Sequence, residues 1–308
     1  MAARNESLTT TEVVRKSLTG RHWDWRSLVF EGFLLLMLLF ALLILVTLLT
    51  DVIGGGFSVI TERGSDFLTK GISSLPERAG VWQGIVGSLL MMVFVVLVAF
   101  PLGIGAAVYL EEYAPNTRFT RFINVNIRNL AGVPSVVYGL LGLAIFVQLL
   151  DRNTGGRSII SGGLTLAILA LPIVIITAAE ALRAVPQSIR EAGFGVGATR
   201  WEVVRSHVLP SAAPGILTGC VLSISRALGE TAPLLLVGAT TGFLATGGLY
   251  EQLYSPFTSL PTIIFAWAKE PDPGFRELTS AAIIVLLGII LTANAAAIVL
   301  RNRYERKW

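Results

Sequence analysis

Charge is scarce in this chain. Asp, Glu, Lys and Arg make up 14% of its 308 residues, whereas soluble domains carry about 25%. There is one cysteine, Cys220, so no intrachain disulfide can form and the redox compartment stays open. Cys220 lies inside an apolar run and reads as a small packing residue. The two histidines, His22 and His207, stand far apart, and no Cys/His cluster suggests a metal. No glycine-rich loop ending in Gly-Lys-Ser/Thr occurs, so the chain carries no nucleotide phosphate loop of its own. The net charge of +4 is no nucleic-acid signal, because the cations gather at the ends of apolar runs. No tandem repeat, low-complexity tract or separate soluble domain is visible.

What the chain has is apolar length: 53% of its residues are hydrophobic. A polar tail, residues 1–31, precedes a body of residues 32–308. Runs at about Gly32–Thr50, Ile85–Leu110 (interrupted at Pro101), Leu130–Leu150, Leu164–Leu182, Ala213–Ala239 and Ala281–Leu300 each approach the ~20 residues that cross a bilayer. This predicts an all-α membrane protein with about six transmembrane helices. The first run lacks the shorter core and small-residue cleavage site of a secretory signal and reads as a retained helix. With the N-terminus cytoplasmic, sixteen Lys and Arg fall on inside segments and seven outside. That bias places both termini inside. Of the outside segments, Asp51–Gln83 reads as a long excursion. Thr240–Thr279 holds an apolar patch, Tyr250–Trp267, that prolines break into a candidate re-entrant piece.

The stretch Leu209–Ala239 carries the sharpest signal. Arg226 and Glu230 lie near its middle, four apart and on one helix face. A charge at the bilayer centre costs about 2.5–3.5 kcal/mol on insertion scales, so such residues face a partner or a polar path. Pro233 cannot donate to the Gly229 carbonyl, which predicts a bend beside them. The alternative is a structural ion pair; since Arg before Glu is the weaker order within one helix, partners on other elements are expected. Gly132-Val133-Pro134-Ser135 with Tyr138 is a second candidate, either an anion contact at a helix start or tight helix packing. Glu180 and Arg183, three apart, form either a gate or an interfacial pair.

The inside segment 183–208 predicts two short helices. One follows Pro186 and is broken by Gly193, Gly195 and Gly197. The other covers about Thr199–Ser206, presenting Trp201, Val204 and Arg205. Together they would make a knob; the alternative is an ordinary solvated loop.

Glu191-Ala192-Gly193, with Gly197 four residues on and then Leu209-Pro210, resembles the EAA loop of ABC-importer membrane subunits. It departs at Gly193, where Ala is frequent, and at His207, where an aliphatic residue is usual. Leu130–Leu143 (LAGVPSVVYGLLGL) and Ser225–Leu235 (SRALGETAPLL) resemble signature stretches of the phosphate-specific branch. With Phe257–Pro261 and the ending LRNRY, the match is nearest its A-type (PstA-type) members and covers most of the chain from about Ile85. The resemblance implies the type I ABC importer permease fold (MetI-like). It implies a non-catalytic subunit without cofactors, working in the cytoplasmic membrane. Its partners would be lipid, a PstC-type permease, a dimer of PstB-type ATPases and an extracytoplasmic phosphate-binding protein. Glu191, Ala192, Gly193, Gly197, Arg200 and Trp201 would dock the ATPase. Arg226, Glu230 and Thr231, with Ser135 and Tyr138, would line the pathway. Some relatives carry an Arg and a Glu at the places of Ile176 and Ala179, so here the partner permease would supply more of the charge. Phosphate suits the residues: Arg226 offers a forked donor, and Glu230 either orients it or accepts the proton that phosphate has and sulfate lacks. Permeation of another oxyanion, sulfate or molybdate, and autonomous secondary transport are the competing functions.

Overall fold

The computed structural model describes residues 25–239 and 248–304, and among these all regular structure is helical. Most of the polar tail, residues 1–24, and residues 240–247 of the segment expected outside are not among the described residues. We number the main helices α1 (Trp25–Thr69), α2 (Trp82–Tyr113), α3 (Arg118–Ala131), α4 (Ser135–Leu149), α5 (Ile159–Arg183), α6 (Gln187–Gly195), α7 (Arg200–Gly229), α8 (Ala232–Val237), α9 (Leu260–Trp267) and α10 (Pro273–Tyr304). Five are long and apolar enough to cross a membrane, and the bent pair α3–α4 brings the number to as many as six.

The chain divides into two units, one up to Asp51 and one from Val52 onward. In the first, residues 25–51 of α1 expose large apolar side chains all round, from Leu28 to Leu49. A helix apolar on every face belongs in lipid. The expected excursion after Asp51 begins instead as helix. It runs on through Gly54-Gly55-Gly56, and Gly56 lies against the backbone of Ala281 too closely for any Cβ. The helix breaks only at Gly64, whose φ of 47° few other residues adopt.

In the second unit α5 is the axis, with residues buried along its whole length. Small residues let its neighbours approach, as membrane helix packing favours. A Cβ on Gly103 of α2 would sit 2.7 Å from Val174, one on Gly142 of α4 2.1 Å from Thr165, and one on Gly219 of α7 2.0 Å from Thr177. Pro101 does not interrupt α2; the helix widens to a π turn at Val95–Ala99 just before it, one way of absorbing a missing donor. The third run starts at Ser135 rather than Leu130. Pro134 cannot continue a helix, so the chain turns by 100° between α3 and α4. The patch Tyr250–Trp267 is a short turn followed by α9, whose Leu260 and Ile263 are fully buried with Phe257.

Candidate functional site

Three of the pathway candidates, Arg226, Glu230 and Thr231, meet at the end of α7. Pro233 has no N–H for the Gly229 carbonyl, and the helix stops there: Glu230 is extended (φ −79°, ψ 123°), and α8 restarts with Pro233 in its first turn. The expected bend is thus a full break, and Arg226 and Glu230 do not share a continuous helix. They pair nonetheless, Arg226 Nε to Glu230 Oε1 at 3.3 Å, contrary to the expectation of partners elsewhere. The break frees the Glu230 backbone to turn its carboxylate back, so the helical order rule no longer governs the pair. Glu230 is mostly covered, while Arg226 is 44% exposed. Thr218, Leu222 and Arg226 recur every four residues along one exposed face of α7. Thr231 is half-buried in the break itself.

α4 packs on α8: a Cβ on Gly139 would fall 2.6 Å from Pro233 Cα. This contact sets the start of α4 beside the break. Tyr138 is buried, and its hydroxyl donates to the Leu130 carbonyl at 2.8 Å. Its proton therefore fastens the α3–α4 corner and is not free for an anion. Ser135 is half-exposed in the first turn of α4. Arg183 pairs with Glu111 at 2.9 Å, not with Glu180, so the proposed pair within α5 does not form.

The segment 183–208 forms the second cluster. Gly193 and Gly195 lie within α6 and do not break it; the turn falls at Gly197 alone, with φ 84°. The second helix does not end near Ser206 but continues through a π turn, Val204–Val208, into the apolar part of α7. Its start is a capping box in which Thr199 N and Oγ1 donate to Glu202 at 2.7 and 2.8 Å. The backbone and then the hydroxyl of Thr199 hold the Glu202 carboxyl below its usual range. Glu191, Ala192 and Arg200 are exposed, with Phe194 (48%), Val196 (83%) and Trp201 (54%). An apolar surface rimmed by charge is of the kind that meets a protein or a membrane. The two departures from the EAA pattern meet in space. A Cβ on Gly193 would stand 2.8 Å from Val203 and 3.6 Å from His207, so the smaller residue accommodates the larger.

Three residues at the C-terminal end of α2 were not singled out from the sequence. Glu111 holds Arg183, Glu112 holds Arg190 at 2.7 Å, and the Tyr113 ring stacks 5.2 Å from the Arg200 guanidinium. The signal was present: Glu111-Glu112 closes an apolar run opposite a segment rich in Arg.

The arrangement defines a class: a helical membrane protein with a broken, charge-bearing span and an exposed helical knob. The chain belongs to the family of binding-protein-dependent transport system inner membrane components, whose model matches residues 99–307. It is 36% identical over 228 residues to the probable ABC transporter permease protein YqgI of Bacillus subtilis, covering 73% of this chain and 74% of that one. It is 34% identical over 265 residues to the phosphate transport system permease protein PstA 1 of Mycobacterium tuberculosis, covering 85% and 84%. In fold it is similar to a chain of a bacterial ABC transporter involved in the import of the acidic polysaccharide alginate, with TM-score 0.61 at 17% identity, covering 92% and 99%.

Proposed function

We propose that this chain is the A-type membrane subunit of an ATP-driven phosphate importer. The observation that carries the reading is the Arg226–Glu230 pair at the break of a membrane span, in a chain that resembles a phosphate permease over most of its length. An arginine left 44% exposed on an apolar helix needs a partner or a polar path. A second, PstC-type permease would close that path, and the anion would exchange its water for the guanidinium fork. Glu230 either orients Arg226 or accepts a hydrogen bond from the hydroxyl of a hydrogen phosphate.

The knob of α6 and the start of α7 docks a PstB-type ATPase, which hydrolyses ATP in the chain's stead. Both termini and the knob face the cytoplasm, and an extracytoplasmic binding protein delivers phosphate to the other side. ATP binding closes the ATPase pair, moves the knobs and opens the cavity alternately to each face. Uptake of labelled phosphate and sulfate in a permease-deficient strain carrying the whole complex tests the substrate. Phosphate uptake with sulfate excluded is expected; sulfate uptake with phosphate excluded overturns the assignment.

A further inference from the structure

Arg190 sits one residue before the EAA-like stretch, and its surroundings are unusual for a surface loop. Its side chain is 14% exposed and that of Glu112 7%. Nε donates to both Glu112 oxygens at 3.2 and 3.3 Å, and Nη2 to Glu112 Oε1 at 2.7 Å. Nη1 donates to the Val185 carbonyl at 2.8 Å and Nη2 to the Leu182 carbonyl at 2.9 Å. One guanidinium thus ties α6 to the last turn of α5 and to the C-terminal end of α2. The Arg183–Glu111 pair repeats the link beside it. A bidentate pair of this kind, drawn out of water, has one geometry and resists sliding.

The other end of the same rod reaches the proposed pathway. Met91 and Val95 of α2 pack in one cluster with Ala227 and Leu234, which flank the Arg226–Glu230 break, and line one narrow gap with Leu228. From Glu112 to Met91 the helix covers about 32 Å at its ordinary rise.

We propose that the Glu112–Arg190 pair makes α2, α5 and α6 one lever, so that displacement of the docked knob reaches the break through α2 as well as along α7. Glu112 and Arg190 are positioning residues, acting on the pathway through α2 and not on the anion. The inference rests on the importer function proposed above. The linker 184–186 by itself would let α6 tilt against α5; the buried pair, with Ile189 packed against the core beside it, removes that freedom.

The test uses the full complex in proteoliposomes with ATP and labelled phosphate. If the unaltered complex moves no phosphate, the importer function itself fails. If it does, Glu112→Gln is expected to leave ATP hydrolysis within about twofold while phosphate moved per ATP falls roughly tenfold, the usual span of a coupling energy. The swap Glu112→Arg with Arg190→Glu is expected to restore much of that ratio. An unchanged ratio in assembled Glu112→Gln complex overturns the lever, and so does a swap that assembles without restoring it. Spin labels at Tyr109→Cys and Gln187→Cys, with Cys220→Ser, give a reading on complex that keeps Glu112 and Arg190. Their separation should hold on ATP binding, and a change beyond about 2 Å, the scale of interface helix shifts, refutes the rigid link.

Discussion

Gly139→Ala tests whether α4 and α8 build the pathway cluster together. The new Cβ would lie 2.6 Å from Pro233 Cα, 2.9 Å from Leu236 Cδ1 and 3.1 Å from the Pro233 carbonyl oxygen. Non-bonded carbons sit at about 3.5–4.0 Å, so the helices must part by roughly 1 Å. Two of the three atoms are backbone, which cannot swing aside. Overpacking of this kind costs about 1–3 kcal/mol, and Ser135 and Tyr138 move away from Arg226 with α4. Gly229→Ala is the control. It lies at the same break, nothing stands within 4 Å of its Cβ, and helix preference favours Ala by up to ~1 kcal/mol. Thermal inactivation of the purified complex and initial phosphate uptake are the assays. Gly139→Ala should lower both while Gly229→Ala leaves both near the parent. Equal behaviour of the two variants would refute the reasoning.

Three further outcomes are expected. Arg226→Ala should cut phosphate uptake about 10- to 100-fold, the worth of a charge-assisted bond at ~1.5–3 kcal/mol, with Arg226→Lys in between; full uptake by an assembled Arg226→Ala complex removes the residue from the pathway. Gly197→Ala forces a side chain to φ 84° and should cost about 1–2 kcal/mol by thermal unfolding, whereas Gly195→Ala, also with nothing within 4 Å of its Cβ, should be neutral. Trp201→Ala, at an exposed position beside an intact cap, should weaken recovery of the ATPase roughly thirtyfold if it anchors that interface, as read by co-purification.

Spans and breaks were readable because their causes are local. Apolar length located the crossing helices, Pro233 a disturbance beside Glu230, and Pro186 and Gly197 the start of α6 and the turn after it. What the sequence hid was tertiary. Whether Gly54-Gly55-Gly56 ends a helix or packs one depends on Ala281, more than two hundred residues away. Gly193 looked like a breaker, but Val203 makes it a contact point. The partners of Arg183 and Arg190 lie on α2, at a separation no helical spacing rule reaches. α3 was hidden because its Arg118, Arg121 and Arg128 read as loop charges, while its Leu130 was absorbed into the following run.

The central claim is that a motor docked on segment 183–208 drives an anion past Arg226. The most direct measurement is phosphate uptake by the purified complex in vesicles, with ATP supplied only on the side that a probe of exposed Trp201 identifies as the knob's. Uptake that needs that ATP and the phosphate-loaded binding protein on the opposite side is predicted. Uptake by this chain alone under an ion gradient, or ATP acting only from the side away from the knob, would contradict it.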